Sequence, residues 1–207
     1  KYDSDYLNKS LTDSKLENVN IYDCTNQWGV FSIAGPNSRN FLKKIVVSED
    51  PDKTLSNKDF PWLSYRDIEI GMCPVRALRV AYTGELGWEL HHPIEMQNYL
   101  LDILLRVGEE FDIKLVGARA QNWLRQEKSY KAFGSDLGRD AGPFESNLNR
   151  FVDLNKEFLG KKALLNRKIE VSCVTLLIDG PENVDPWGRE ALYDESEELM
   201  LGRLTSG

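Results

Sequence analysis

The sequence is poor in histidine and cysteine and contains no long apolar run. Its two histidines, His91 and His92, are adjacent. Neighbouring strand residues point to opposite faces of a sheet, so this pair is badly placed to share one metal. The three cysteines, Cys24, Cys73 and Cys173, are odd in number, widely spaced and form no C-x-x-C pair. Buried thiols in a reducing compartment are therefore expected, and metal and Cys–His chemistry are set aside. No stretch approaches the roughly 20 apolar residues that cross a bilayer, and "KYDSDYLNKS" lacks a signal-peptide core. A cytoplasmic location, or the mitochondrial matrix in a eukaryote, is expected. No basic stripe interleaved with aromatics is present, and a net charge of -7 with a pI near 5.0 argues against nucleic-acid binding. No G-x-G-x-x-G opens a helix after a strand, and there is no internal repeat. The first residue is not methionine and "LMLGRLTSG" reads as a strand cut at its turn, which together predict a piece of a longer chain.

What is present is ordinary globular composition. The chain has 207 residues, 41% hydrophobic and 29% charged, with five tryptophans and eight each of tyrosine and phenylalanine to fill a core. Strand and helix signals alternate. "VNIYDCTNQWGVFSIAG" predicts two short strands around a polar turn at Thr25-Asn26-Gln27. Gly35-Pro36 ends it, and "PNSRNFLKKI" predicts a helix burying Phe41, Leu42 and Ile45. "VSEDPDKTLSNKDFPW" reads as a polar connection. In "YRDIEIGMCPVRALRVAY", Ile68 and Ile70 alternate with charges; after Gly71, Leu78, Val80 and Tyr82 are expected on one strand face, with "WELHH" returning. "MQNYLLDILLRVG" is the clearest amphipathic helix, with the stripe Met96, Leu100, Ile103, Leu104 and Val107 and a stop at Gly108. "VGARAQNWLRQEKSYKAFG" predicts a further helix closing at Gly134, and a short fourth one starts near Lys161. From Val171 the pattern turns to strands: "VSCVTLLI", "REALYD" and "LMLGRL".

One stretch holds the densest chemistry: "RVAYTGELGWELHHP", Arg79 to Pro93. Glu85 falls in a turn and Glu89 four residues on, in the return strand. A carboxylate accepts two parallel N–H donors, which suits a guanidinium or an aminopyrimidine edge equally well. Tyr82 offers a ring and a hydroxyl at a pocket rim, and Gly84 and Gly87 let backbone approach a planar ligand. A plain hairpin, with Glu85 exposed, Trp88 buried and Glu89 paired to an arginine, satisfies the same letters. Arg119, Arg125, Glu127 and Lys128 fit a solvated helix face, or Arg125, flanked by Trp123 and Leu124, clamps a carboxylate half-buried.

Three segments in this order, "RVAYTGELGWELHHP", "GARAQNWLRQEKSYKAFGSDL" and "PFESNLNRFVDLNKEFLGKKAL", resemble the glycine-cleavage T protein superfamily. "FSIAGPNSRNFLKKI" resembles its strand-Gly-Pro-helix segment, and "GWELHHP" with "RFVDLNKEFLGKKAL" resembles the C-terminal half of dimethylglycine and sarcosine dehydrogenases. The resemblance implies an α+β fold of antiparallel sheets packed with helices, with a folate-binding domain over 1–168 and the start of a C-terminal β-barrel over 169–207. It implies tetrahydrofolate as cofactor, taking up the one-carbon unit of an iminium derived from an N-methyl amine as 5,10-methylene-tetrahydrofolate. It further implies a covalently linked FAD oxidase half upstream. By the same resemblance, Tyr82 is the pterin-site tyrosine, Glu89 grips the pterin's amino edge and Arg125 lies beside it. Glu85 belongs to the signature, and Phe133 stands where relatives carry Tyr or Trp. The family's catalytic aspartate lies upstream of Tyr82, beyond what this chain includes, so no catalytic residue is assigned. Gln126, Ser129 and Asn147 depart from the family's Leu, Gly and Gly, which bears on helix packing more than on ligand contacts. A free-standing aminomethyltransferase, a folate-dependent demethylase and a non-catalytic folate-fold module are the alternatives.

Overall fold

The computed structural model describes residues 2–14, 16–138, 141–180, 184 and 186–207. The chain forms two compact units. Residues 1–33, 37–80 and 87–113 make the first, and residues 34–36, 81–86 and 114–207 make the second.

The first unit begins with helix α1 (Tyr2–Ser14), which buries none of its residues. The expected strand over residues 19–24 does not form: that stretch is exposed and unpaired, although the turn before β1 closes with the Gln27 N–H on the Cys24 carbonyl at 2.9 Å. Strand β1 (Trp28–Ala34) follows, then α2 (Ser38–Ile45) with Phe41, Leu42 and Ile45 buried as its periodicity requires. The supposed polar connection contains a short helix, α3 (Pro51–Thr54), because Asp50 caps it by accepting the Lys53 N–H at 3.0 Å and Pro51 starts it. Leu55 and Phe60, just beyond, are both fully buried.

Strands β2 (Tyr65–Ile70) and β3 (Cys73–Leu78) pair antiparallel around a two-residue turn, Gly71-Met72, with Gly71 at φ +58°. A Cβ at Gly71 would sit 2.4 Å from the Tyr99 hydroxyl, so glycine is needed there on two counts. Strand β4 (Gly87–Pro93) pairs antiparallel with β3, Glu89 opposite Leu78, and the sheet order is β1-β4-β3-β2. The strand expected to run on through Val80 and Tyr82 stops at Leu78, where ladder pairing ends. Helix α4 (Gln97–Gly108) buries Leu100, Leu104 and Gly108 and packs against α2. The unit's core is Ile70, Val75, Ala77, Trp88, Leu90 and Leu100 from sheet and helix, all at most 2% exposed.

In the second unit, α5 (Ala118–Glu127) ends well before Gly134, because Ser129 takes a left-handed turn at φ +57°. Helix α6 (Lys161–Asn166) starts where expected. Strands β5 (Ala191–Tyr193) and β6 (Met200–Arg203) make a two-stranded antiparallel sheet. The expected partial β-barrel is absent among the described residues. Residues 171–180 form no strand, and Val171, Val174, Leu176, Leu177 and Ile178 are exposed. Cys173 anchors that segment: its N–H donates to the Glu145 carbonyl at 2.7 Å, and its carbonyl accepts from Asn147 Nδ2 at 2.6 Å. Among the described residues no helix is long and apolar enough to cross a membrane, and no cluster of His, Cys, Asp and Glu could hold a metal ion.

Candidate functional site

Tyr82 and Glu85 lie in the loop between β3 and β4, within the second unit. The loop turns at Gly84, φ +71°, whose N–H donates to the Ala81 carbonyl at 3.1 Å. Tyr82 is half-exposed; its hydroxyl donates to the Lys131 carbonyl at 3.0 Å, and its ring stacks on Tyr130 with centroids 6.5 Å apart. Glu85 faces Lys128 Nζ at 3.9 Å, with both side chains more than two-fifths exposed. Two of the expected site residues thus reach the same stretch of chain, the segment that follows α5.

Arg125 reaches it too. It is 2% exposed, and all five of its N–H groups donate to protein acceptors. Nε and Nη2 bond Asn122 Oδ1 at 3.0 and 2.7 Å; Nη2 also bonds Ser206 Oγ at 2.6 Å; Nη1 bonds the Tyr130 carbonyl at 2.8 Å and Asp136 Oδ2 at 2.5 Å. Of the two expectations, a solvated face or a half-buried clamp on a carboxylate, the second describes this guanidinium: it is a buried hub, and the carboxylate is the protein's own Asp136. Phe133, two residues after Lys131, is 88% exposed.

Asp136 completes the hub and was not singled out by sequence. Its Oδ2 also accepts the Ala132 N–H at 2.9 Å, and its Oδ1 accepts Thr205 Oγ1 at 2.5 Å and Ser206 Oγ at 2.8 Å. Burial pushes the Asp136 carboxyl upward. The bonds from Thr205, Ala132 and Ser206, with the Arg125 charge, outweigh that and hold it below the ordinary carboxylate value. The available sequence signal was "GSDL", an aspartate just past a loop glycine after an arginine-bearing helix, with no spacing rule to mark it as a partner.

Glu89 lies on β4 in the first unit. It is half-buried, and His91 Nε2 on the same strand stands 3.2 Å from its Oε2. The plain hairpin supplied an arginine partner for Glu89; the described partner is this histidine, two residues along and on the same face. The neighbouring Trp88 is fully buried, as that hairpin requires.

Residues 1–156 match the GCVT N-terminal domain. The chain belongs to the GCVT N-terminal domain family. This GCVT-domain chain is 38% identical over 196 residues to human mitochondrial dimethylglycine dehydrogenase, an alignment covering 91% of the chain and 22% of the relative. Mouse mitochondrial sarcosine dehydrogenase is 30% identical over 195 residues, 91% of the chain and 20% of the relative. An aminomethyltransferase of Thermotoga neapolitana is 29% identical over 199 residues, 94% of the chain and 51% of that protein. The chain therefore spans about a fifth of the dehydrogenases it resembles and half of the aminomethyltransferase.

Proposed function

We propose that this GCVT domain is the tetrahydrofolate-binding part of an enzyme of the dimethylglycine and sarcosine dehydrogenase kind. The support is the 38% identity to a dimethylglycine dehydrogenase against 29% to an aminomethyltransferase over nearly the same stretch. The chemistry of the available groups fits a pterin. Glu89 is a half-buried carboxylate whose described partner is a single histidine, so acceptor capacity remains for an aminopyrimidine edge. Tyr82 and Phe133 present partly and almost fully open rings, the surfaces on which a flat heterocycle stacks. Glu85, beside Lys128, lies in the same turn as Tyr82.

Arg125 has no donor left for a ligand, so its part is positioning. Together with Asp136 it holds the Tyr130 carbonyl and the Ala132 N–H, which fixes the Lys131 carbonyl that Tyr82 bonds and the backbone leading to Phe133. Bound folate supplies the nitrogens that take up the one-carbon unit. The protein's share is to hold that acceptor still, replacing a bimolecular encounter with a positioned one. The iminium would come from an FAD-bearing half of the intact protein; a mitochondrial matrix, if the source is eukaryotic, fits the human and mouse relatives, which are named as mitochondrial.

The test uses the intact protein oxidising dimethylglycine or sarcosine. With tetrahydrofolate present, free formaldehyde should fall and methylene-folate should rise in equal amount. An identical formaldehyde yield with and without folate would remove the reading. The aminomethyltransferase alternative rests on the relative aligned over 94% of the chain, and a protein that oxidises no N-methyl amine yet transfers an aminomethyl group would favour it.

A further inference from the structure

The first unit contains a second concentration of unspent polar groups, around Trp88. The guanidinium carbons of Arg39 and Arg79 lie 5.4 and 5.9 Å from the centroid of this ring. Two cations therefore share one indole that is itself fully buried. Among the described residues neither arginine has a carboxylate partner; the ion pairs involve other residues. Their hydrogen bonds go to neutral acceptors instead. Arg39 donates to the Leu55 carbonyl and, at 2.7 Å, to Asn57 Oδ1; Arg79 donates to the Phe60 carbonyl at 2.6 Å. Two further donors are buried with no acceptor, Arg79 Nε and Trp88 Nε1.

Each feature points the same way. Like charges near one another in a half-buried setting repel, and burial followed by the Arg39 charge pushes the Arg79 guanidinium below its ordinary value. Buried donors without acceptors carry a desolvation cost that a bound acceptor would remove. Among the described residues both guanidiniums are without an ion pair here, although the chain as a whole is acidic at -7. The backbone carbonyls of the 55–60 turn already fix both guanidinium planes, so a ligand would pay little to order them.

We propose that Arg39, Arg79 and Trp88 form a binding site for a small oxyanion, a phosphate or carboxylate group, seated on the two guanidiniums. The fork of N–H donors on an arginine matches the paired oxygens of either group, which a lysine pair would not reproduce. Both arginines are partly solvent-accessible, whereas Trp88, over whose ring they lie, is fully buried. The site stands independently of the folate reading, and its failure would leave that reading untouched.

The experiment is a titration of the 15N-labelled chain near pH 7 with sodium phosphate and, separately, sodium acetate, each against sodium chloride at matched ionic strength. The resonances followed are Arg79 Nε–H and Trp88 Nε1–H. Saturable shifts at the Arg79 resonance with an oxyanion and not with chloride are expected. Tighter saturation by phosphate would indicate a phosphate-bearing ligand, and tighter saturation by acetate a carboxylate-bearing one. Arg39→Gln should weaken binding about tenfold, the loss of one charge-assisted contact, whereas Arg39→Lys should lose the fork but keep part of the affinity. If neither oxyanion produced a saturable shift, or chloride produced the same one, the proposal would be overturned. An unchanged affinity in a folded Arg39→Gln variant would overturn it as well; should that variant not fold, the wild-type titration decides alone.

Discussion

Replacing Asp136 by asparagine should destabilise the second unit severely, although it removes only one charge and no volume. The carboxylate accepts four hydrogen bonds, from Arg125, the Ala132 N–H, Thr205 and Ser206, at distances of 2.5 to 2.9 Å. An asparagine offers one carbonyl oxygen and turns its amide NH2 toward groups that are themselves donors. The Arg125 guanidinium, 2% exposed, is then left charged and buried without a counter-ion. Losing one member of a buried pair costs about 3–5 kcal/mol, against a total stability of about 5–15 kcal/mol for a domain. Urea denaturation followed by tryptophan fluorescence measures this directly. The companion variant Arg125→Met with Asp136→Leu removes both charges at similar volume and should lose markedly less than the two single substitutions summed. A loss under about 1 kcal/mol for Asp136→Asn, or simple additivity in the double variant, would refute the view of this pair as a buried hub.

The pH dependence follows with its sign fixed. The folded-state value of Asp136 is depressed, so its contribution is fully present above the unfolded value of about 3.9 and is lost as the pH falls through the folded one. The stability gap between wild type and Asp136→Asn should therefore hold constant above about pH 4 and close below it, as chemical denaturation across pH would show. Trp88→Ala removes a fully buried indole packed edge-on to Phe60 at 6.2 Å and should cost about 3–5 kcal/mol by the same assay. Tyr82→Phe loses only the bond to the Lys131 carbonyl and should cost about 1 kcal/mol while leaving the ring contact with Tyr130 intact.

Much of the first unit was legible because burial there follows simple periods. Leu100 and Leu104 on α4, and Phe41, Leu42 and Ile45 on α2, are buried where a 3.6-residue repeat places them. The errors arose where pairing, not side-chain pattern, decides. Residues 171–178 have the β-branched, apolar character of a strand, but a strand requires a neighbour for its backbone, and none of the described residues supplies one. The short helix at Pro51 was hidden in a polar run because its cap, Asp50, also reads as a turn residue. Ser129 and Asn147, the two positions that depart from a family glycine, both take left-handed backbone at φ +57° and +58°; the resemblance pointed to the places, and the geometry gives the reason. At the site, composition marked Tyr82, Glu85 and Glu89 through one dense stretch. That Arg125 could clamp a carboxylate was legible; which one it clamps was not, since its acceptors come from residues 122, 130, 136 and 206, which no local spacing connects.

Calorimetric binding of 5-formyltetrahydrofolate to the wild-type chain and to Glu89→Ala tests the central claim most directly. Binding by the wild type is expected, with a loss of about 2 kcal/mol or more in the variant, the cost of leaving a pterin's amino edge without its acceptor. Equal affinity in the two proteins, or no binding by the folded wild type, would contradict it.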